Sequence, residues 1–413
     1  MTFRKIVGLN KIKGVKYKQP HFSWPEKDLK IGKKISNYYL NLKNGKNGLP
    51  DIIEKLEKSF RIKNKSKYCL ALSSGTAALH TAYLSINLKK GDEVIVSNYT
   101  FPATVVPLFL IGAKPILCDV DKNFANIDPD KVEKLITKKT KAITVTHWWG
   151  QPCKMDQICK IAKKYRLKLI EDCAHAPGAK FKNKNVGTFG DFGCFSLDNQ
   201  KLLASGEGGI LTTNNYDLYQ RAILFSDFGP RLNTQIKIKK YKNFIQTGIG
   251  TKYRIHFIAA KIAFERLKNI KIMNLDRQNI FNYFSNKLKK SKILIPPKNI
   301  KGFKRGGFFG YKVVMKKNDK FSLTKFIKFL QSKNLDVRQT VTPPLHMTKT
   351  FKNKKNSTFF ENYFSNFKEK NLKNSKWFHE NHISFPSFYK KNHKKIIDEY
   401  VRVILDFEKN YKL

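Results

Sequence analysis

Short apolar stretches alternate with amphipathic stretches along the first half of the chain, as is typical of strands alternating with helices. The expected strands cover residues 68–72, 93–97, 115–119, 142–146 and 167–170. The expected helices cover residues 77–86, 103–110, 128–136 and 155–165, and an amphipathic stretch at 51–60 precedes them. This alternation predicts an α/β fold with a mostly parallel sheet covered by helices.

The pattern changes after residue 211. A polar, lysine-rich segment at 233–243 is expected to be a loop, and the charged and aromatic residues 351–373 a mobile surface segment. Further helices are expected at 255–267, 277–288, 323–332 and 394–407, with a strand at 308–315. We therefore predict an N-terminal arm (1–45), a large domain (46–270) and a smaller C-terminal α/β domain (271–413).

Several polar and aromatic residues follow the predicted strands directly. Ligands of a parallel α/β sheet bind beyond the carboxyl ends of its strands, and Phe101, His147 and Asp172 fall there. The turn Ser74-Gly75-Thr76 lies at the same edge, between a strand and a helix. Free backbone N–H groups and the positive end of the helix make such a turn a predicted anion-binding site.

Two sequence frames carry the candidate chemistry. The first, Leu169-Ile170-Glu171-Asp172, is followed by Cys173-Ala174-His175-Ala176. The second places Lys201 between Asp191-Phe192-Gly193-Cys194-Phe195-Ser196 and Gly206-Glu207-Gly208-Gly209. An acid and an amine together suit pyridoxal 5'-phosphate (PLP), whose ring nitrogen pairs with a carboxylate and whose aldehyde bonds to a lysine. Glu171 would point to the opposite side of the strand and is the weaker candidate.

The formal net charge of +50 has two interpretations. Such a charge could serve nucleic-acid or anionic-surface binding. However, lysine greatly outnumbers arginine and is spread along the whole chain, and the other abundant residues are also those of AT-rich codons. Arginine is the better reader of bases and phosphates. We therefore favour codon drift, and we expect no specific nucleic-acid partner.

Length and cysteine usage set further limits. A chain of 413 residues with 41% hydrophobic residues can bury a large core. It has no stretch of 18 apolar residues, and its basic first residues lack the apolar part of a secretory signal, so we expect no membrane span and a cytoplasmic protein. The six cysteines form no CxxC pair and the histidines no HExxH, which favours buried free thiols and no metal site.

These motifs resemble those of the DegT/StrS family of PLP-dependent sugar aminotransferases, in the aspartate aminotransferase fold group (fold type I). The likeness runs from the Trp24-Pro25 pair in the arm to Ile383-Ser384-Phe385-Pro386, with the motifs in order. It implies a large PLP-binding domain and a smaller C-terminal domain. It also implies a transaminase that takes its amino group from glutamate or glutamine and delivers it to a keto-sugar or keto-cyclitol.

The resemblance gives each site residue a role. Lys201, five residues after Ser196, matches the Schiff-base lysine, and Asp172 matches the partner of the pyridine nitrogen. His175 matches a residue near the ring hydroxyl, with a structural histidine as the alternative, and Phe101 matches the aromatic residue that stacks on the ring. The expected cofactor-binding residues are Ser74, Gly75, Thr76, Phe101, Asp172, His175, Ser196, Lys201 and Lys252.

One departure concerns Lys252-Tyr253-Arg254, where many relatives have Asn-Tyr-Arg. In the family that Asn reaches the phosphate held by the neighbouring subunit. Lysine can meet a phosphate as a point charge, or the contact can have been lost to drift. If it is retained, the resemblance implies a homodimer with a shared active site.

Alternatives remain for both reaction and substrate. A sugar dehydratase of the same family would have histidine in place of Lys201, and a PLP- or anion-binding regulator would lack catalysis. The arm and the Lys252 variant resemble the branch that acts on inososes, and nucleotide-linked keto-sugars are equally expected. Softer pocket candidates, for which core packing or exposure is favoured, are Trp148, Trp149, Gln151, Arg338, His346 and Tyr363.

Overall fold

The computed structural model describes residues 29–46, 48–122, 124–245, 249–316, 319–339, 342–352 and 369–411. The Trp24-Pro25 pair and Tyr363 lie outside these ranges, so the expectations for them are not addressed. No described helix combines the length and the apolar character that a membrane crossing requires.

The described residues of the first half form nine strands, seven of which make one sheet. They are β1 Tyr68–Leu72, β2 Glu93–Ser97, β3 Lys114–Cys118, β4 Thr140–Thr146, β5 Lys168–Asp172, β6 Lys180–Phe181, β7 Lys184–Asn185, β8 Phe192–Ser196 and β9 Gly209–Thr213. The order in the sheet is β1-β9-β8-β5-β4-β2-β3. Only β9 runs antiparallel to its neighbours, which confirms the predicted mostly parallel sheet.

Within the described residues, ten α-helices accompany these strands, several of them packed on the sheet. They are α1 Leu29–Leu40, α2 Asp51–Asn64, α3 Gly75–Ser85, α4 Val106–Ile111, α5 Pro129–Val132, α6 Met155–Lys164, α7 Tyr216–Ser226, α8 Pro230–Gln235, α9 Lys239–Lys242 and α10 Phe257–Lys268. In α6 the buried residues Met155, Ile158 and Ala162 recur at helical spacing, so one face packs on the sheet. The central strands are buried on both sides, as expected of parallel strands covered by helices.

The second half of the chain forms a smaller antiparallel sheet, order β10-β12-β14-β13. The elements of the second half are α11 Ile270–Leu288, β10 Leu294–Ile295, β11 Phe303–Lys304, β12 Tyr311–Met315, α12 Leu323–Ser332, β13 Arg338–Gln339, α13 Lys349–Lys352, α14 Lys373–Asn381, β14 His382–Phe385 and α15 His393–Asn410. Side chains of α11, α12 and α15 pack on one face of this sheet. Strand β11 pairs with β6 of the first half. The domain division near residue 270 stays a prediction.

The predicted loop at 233–243 is wrong, because the segment contains the end of α8 and all of α9. Pro230 begins α8 with its ring in the first turn, and Leu232 is buried in the core. Gln220 of α7 accepts the backbone N–H of Lys237, and Tyr241 donates to Asp217 at 2.9 Å. These tertiary contacts stabilise short helices that the lysine-rich composition concealed.

Two further segments depart from their predicted form. The strand expected at 308–315 begins only at Tyr311, because Phe308 and Gly310 have positive φ and cannot extend it. Most of the surface segment expected at 351–373 lies outside the described residues. Of its described residues, Phe351 and Leu372 are buried in the core of the large sheet, whereas Lys352, Lys370, Asn371 and Lys373 are exposed, so the departure is confined to two buried side chains.

Candidate active site

Asp172 is the last residue of β5 and lies at the carboxyl edge of the large sheet. Its buried carboxylate accepts hydrogen bonds from Thr104 Oγ1 (2.7 Å) and from the backbone N–H of Ala174 (3.0 Å). Burial raises the pKa of this carboxyl, and the two hydrogen bonds and the Lys201 ammonium offset part of the rise. A desolvated carboxylate held by neutral donors is well suited to pair with a cationic ring nitrogen.

Glu171, directly before it on the strand, has a different set of partners. Its Oε2 accepts the backbone N–H of Gly187 (2.8 Å) and lies 3.1 Å from His147 Nε2. Its Oε1 accepts the N–H groups of Phe189 (2.7 Å) and Gly190 (2.9 Å). Successive strand side chains point to opposite faces, so Glu171 anchors the loop before β8 while its neighbour faces the pocket.

Three buried side chains beneath this strand end resemble a metal cluster. Ligand atoms of His147, Glu171 and Cys173 lie within 4.8 Å of one another. Both oxygens of Glu171 are already engaged by the hydrogen bonds just described. Glu171 therefore serves to hold the loop before β8 in place.

Lys201 lies in the turn after β8, where its backbone N–H donates to the Asp198 carbonyl at 2.9 Å. Its Nζ lies 4.3 Å from the centroid of the Phe309 ring. Burial lowers the pKa of this ammonium, and the carboxylates of Asp198 and Asp172 offset part of the fall. Each of the two predicted catalytic residues thus shifts the pKa of the other toward its charged form. A lysine whose pKa is lowered is a more available nucleophile.

His175 lies flat against Phe309, with ring centroids 3.9 Å apart and planes at 7°. The backbone N–H of Trp149 reaches its Nδ1 at 3.4 Å, which leaves the ring proton on Nε2. Burial lowers the pKa of His175 well below its usual value, and Lys201 and Lys312 add to the effect. The ring is therefore neutral at neutral pH, with one N–H to donate.

The predicted anion turn packs against two other strands. Ser74 caps α3, because its Oγ accepts the N–H of Ala77 at 2.9 Å. A Cβ on Gly75 would lie 2.9 Å from the Cβ of Ser196, and one on Gly209 would lie 2.1 Å from the Ser74 carbonyl oxygen. Because β9 is antiparallel, its first residue lies at the carboxyl edge of the other strands. Glycine is therefore required at both places to form the cradle.

Three predicted cofactor-binding residues are exposed around this turn. Phe101 is 56% exposed, and Thr76 and Lys252 are also exposed. Ser73 donates its backbone N–H to the Tyr253 carbonyl at 2.6 Å, so the segment with Lys252 runs beside the turn of its own chain. The structure thus gathers the remaining predicted residues at one edge and leaves these three on its surface.

Sequence reasoning missed the threonine network behind the carboxylate. Thr104 donates to Asp172, and Thr100 Oγ1 lies 2.8 Å from Thr104 Oγ1 and 2.9 Å from Thr146 Oγ1. Tyr83 donates its hydroxyl to the Thr104 carbonyl at 2.9 Å. The available signal was the position of two of these threonines: Thr146 ends the predicted strand 142–146, and Thr100 follows the predicted strand 93–97.

Phe309 was also missed, because it fell inside a predicted strand. It belongs to the loop before β12, where Gly307 has a φ of +67° and a Cβ there would lie 2.2 Å from the His175 carbonyl oxygen. Asn274 and Arg277 of α11 hydrogen-bond to the backbone of Gly307 at 2.8 and 2.7 Å. The Gly306-Gly307 pair was the signal that the chain turns here and does not extend.

The softer pocket candidates separate by burial. Buried are Trp148, Trp149, Gln151 and His346, and exposed is Arg338. His346 Nδ1 lies 2.8 Å from the Asn98 side-chain nitrogen, so it is tied to the end of β2. Trp148 packs against His175 with ring centroids 4.8 Å apart.

Comparison with known proteins decides the family. Residues 35–401 match the model of the DegT/DnrJ/EryC1/StrS aminotransferase family. The chain belongs to this family. The family resemblance inferred from the motifs is therefore confirmed, and the protein is a PLP-dependent aminotransferase.

Individual relatives of this aminotransferase carry informative names. A GDP-perosamine synthase of Caulobacter vibrioides is 32% identical over 71% of this chain and 77% of that enzyme. An L-glutamine:2-deoxy-scyllo-inosose aminotransferase of Micromonospora echinospora is 41% identical over 38% of this chain and 37% of that enzyme. The X-ray structure of an aminotransferase from Psychrobacter cryohalolentis is 25% identical, with a TM-score of 0.83 over 96% of this chain and 99% of that chain.

The residues at the edge of the large sheet fit PLP. The cradle at Gly75 and Gly209, which a Cβ would fill, lies at the start of α3 and suits the phosphate. The buried Asp172 suits the ring nitrogen, and the half-buried amine of Lys201 suits the aldehyde.

Proposed function

We propose that this aminotransferase moves an amino group from glutamate or glutamine to the keto group of a sugar or cyclitol. The observation that carries the proposal is geometric: the buried Asp172 ends β5, and Lys201 reaches the same edge, with its Nζ 4.3 Å from the Phe309 ring that stacks on His175. The names of the Caulobacter and Micromonospora relatives support a sugar or a cyclitol acceptor and glutamine as a donor. Lys201 favours amino transfer over the dehydratase alternative, because the family's dehydratases have histidine at that position.

When bound, PLP supplies an electron sink for the substrate carbon that carries nitrogen. Asp172 keeps its negative charge against the ring nitrogen and so favours the protonated ring. Lys201, once its amine is free, would take the proton from the substrate α-carbon and deliver it to the C4' carbon of the cofactor. Because its pKa is lowered by burial, a larger fraction of this amine is unprotonated near neutral pH.

The remaining site residues bind and orient. The N–H groups at the start of α3, with Ser74 and Ser196 beside them, receive the phosphate. His175, neutral and with its proton on Nε2, donates to the ring oxygen of the cofactor. Phe101 lies at the same edge with its ring exposed, which supports its proposed role in stacking.

We further propose a homodimer in which Lys252 contacts the phosphate held by the partner. Support comes from its exposed side chain, in a segment that runs beside the 73–76 turn, and from exposed apolar side chains on the same domain, Phe101 and Leu110. We place the enzyme in the cytoplasm, since all six cysteines are unpaired, as is usual in a reducing compartment.

Borohydride trapping followed by peptide mass spectrometry tests the central proposal. We expect the cofactor on the peptide that contains Lys201 and amino transfer to at least one member of a panel of nucleotide-linked keto-sugars and inososes. Lys201→Ala should abolish both, with an unchanged melting temperature, whereas Lys184→Ala, an exposed lysine on β7, should leave both intact. Cofactor trapped on another lysine would refute the assignment.

Hybrid dimers test the shared site. Mixing inactive Lys201→Ala chains with Lys252→Ala chains should restore activity, because one of the two sites in a hybrid then has both lysines intact. No restoration, with hybrids verified by mass, would contradict the role of Lys252 across the interface.

A further inference from the structure

Three polar residues lie in one row across the small sheet. Lys312 on β12 and Arg338 on β13 each pair with Ser384, which lies between them on β14. Directly opposed residues of antiparallel strands present their side chains on the same face. Lys312 Nζ donates a hydrogen bond to Ser384 Oγ. The row therefore sets two cations and a hydroxyl side by side.

This row faces the pocket. The first, third and fifth residues of β12 are buried in the small-sheet core, so Lys312 and Val314 point the other way. Val314 packs with Trp148 and Trp149, and Lys312 Nζ lies 5.7 Å from the Trp149 ring centroid. Both tryptophans contact His175. The Trp148 ring packs against the His175 ring at a tilt, and the backbone N–H of Trp149 donates to His175 Nδ1.

The row has no balancing acid within the part of the chain that the structure describes. Burial lowers the pKa of Lys312 to about 7, and the second cause is the guanidinium of Arg338, another cation. No carboxylate contributes to that shift, and neither residue enters a described salt bridge. Lys312 is removed from water beside the guanidinium of Arg338, which stays exposed, and this pairing of like charges is unfavourable unless an anion joins them.

We propose that the Lys312–Ser384–Arg338 row binds an anionic oxygen group of a substrate, a carboxylate or a phosphate. The inference rests on the proposed function, which supplies two sources: the carboxylate of the amino donor and the phosphates of a nucleotide-linked acceptor. The planar guanidinium of Arg338 can bind two such oxygens, while Lys312 adds a point charge and Ser384 a hydroxyl. The row is thus a determinant of which substrates enter.

Calorimetry on the protein with PLP bound tests the row directly. The bound cofactor fills the α3 site, so added inorganic phosphate or succinate reports on other anion sites. At constant ionic strength we expect one of these probes to bind, and Lys312→Met and Arg338→Met to weaken it by about tenfold or more. Lys328→Met is the matched control, since it removes an exposed lysine from α12 of the same half, and it should change the affinity less than about twofold.

Kinetics then separate the two sources. If the row binds the donor carboxylate, Lys312→Met raises KM for the amino donor; if it binds phosphate, KM rises for a nucleotide-linked keto-sugar but not for a free inosose. In both cases kcat should change much less, and Lys312→Arg should restore most of the affinity.

The proposal is overturned if Lys312→Met matches Lys328→Met in probe affinity and in both KM values. It is also overturned if Lys312→Met lowers kcat while anion binding is unchanged, because the lysine would then act on proton transfer. If the unaltered enzyme transfers no amino group to any acceptor, the proposed function fails, and the calorimetry still decides the row.

Discussion

The seven-stranded sheet meets the pocket with the ends of its strands, whereas the four-stranded sheet meets it with one of its faces. Helices cover both faces of the large sheet, so Asp172 and Lys201 reach a ligand only beyond β5 and β8. Helices α11, α12 and α15 cover one face of the small sheet, and Lys312, the second residue of β12, points to the other face.

Asp172 of the large sheet and Lys312 of the small sheet also differ in the sign of their charge. The large sheet contributes a buried carboxylate, Asp172, whose pKa is raised by burial, and the small sheet contributes Lys312, whose pKa is lowered by burial. In both cases removal from water disfavours the charged form. A bound group of opposite charge would stabilise each, so the comparison assigns the cationic ring nitrogen to Asp172 and an anionic substrate group to Lys312.

Asp172→Asn should have the largest effect on this comparison. Asparagine keeps the size but removes the charge that holds a protonated ring nitrogen, and its NH₂ group replaces one of the two oxygens that accept from Thr104 and Ala174. We expect turnover to fall by about 10²-fold or more, with a smaller loss of unfolding free energy than in Glu171→Gln, because only one donor loses its acceptor. Steady-state kinetics and urea unfolding of the purified variant measure the two quantities, and a normal rate would rule out the proposed role.

Glu171→Gln should give the opposite result one residue away. The amide places an NH₂ group where Glu171 now accepts from His147 and from three backbone N–H groups, so buried donors lose an acceptor. We expect a loss of about 2 kcal/mol or more in unfolding free energy. Activity per folded molecule, measured below the melting transition, should stay within a few-fold of that of the unaltered enzyme. A catalytic loss without a loss of stability would show that Glu171, like Asp172, acts in catalysis and contradict its structural role.

The smallest predicted effect concerns His382, which lies opposite Val314 on the pocket face of the small sheet. Burial lowers the pKa of His382 to about 3, from an ordinary value near 6.5. Between these values the unfolded chain binds a proton that the folded chain does not, so unfolding free energy falls as pH falls below 6.5. Urea unfolding between about pH 7.5 and pH 5 should show this slope reduced in His382→Gln by up to about 1 kcal/mol per pH unit. Equal slopes would show that the histidine is not held neutral.

Strand and helix positions in the first half were predicted closely because they depend on local periodicity. The predictions for 68–72 and 93–97 match β1 and β2; in the second half, the helix predicted at 323–332 matches α12 for the same reason. The short helices at 230–242 were missed because contacts with α7, and not composition, stabilise them. The same distinction applies to the site residues. Asp172 and Lys201 were predicted because they stand in short motifs, whereas nothing in the local sequence around Thr104 or Phe309 indicates their function.

By itself the sequence determined the α/β class, the anion turn and the acid–amine pair, because periodicity and short motifs are local properties of a chain. Only the tertiary structure decided which residues share a pocket wall. Lys312 and Ser384 are 72 residues apart and meet through the register of β12 with β14. Register depends on the packing of a whole face against its core, which no single segment of the chain encodes.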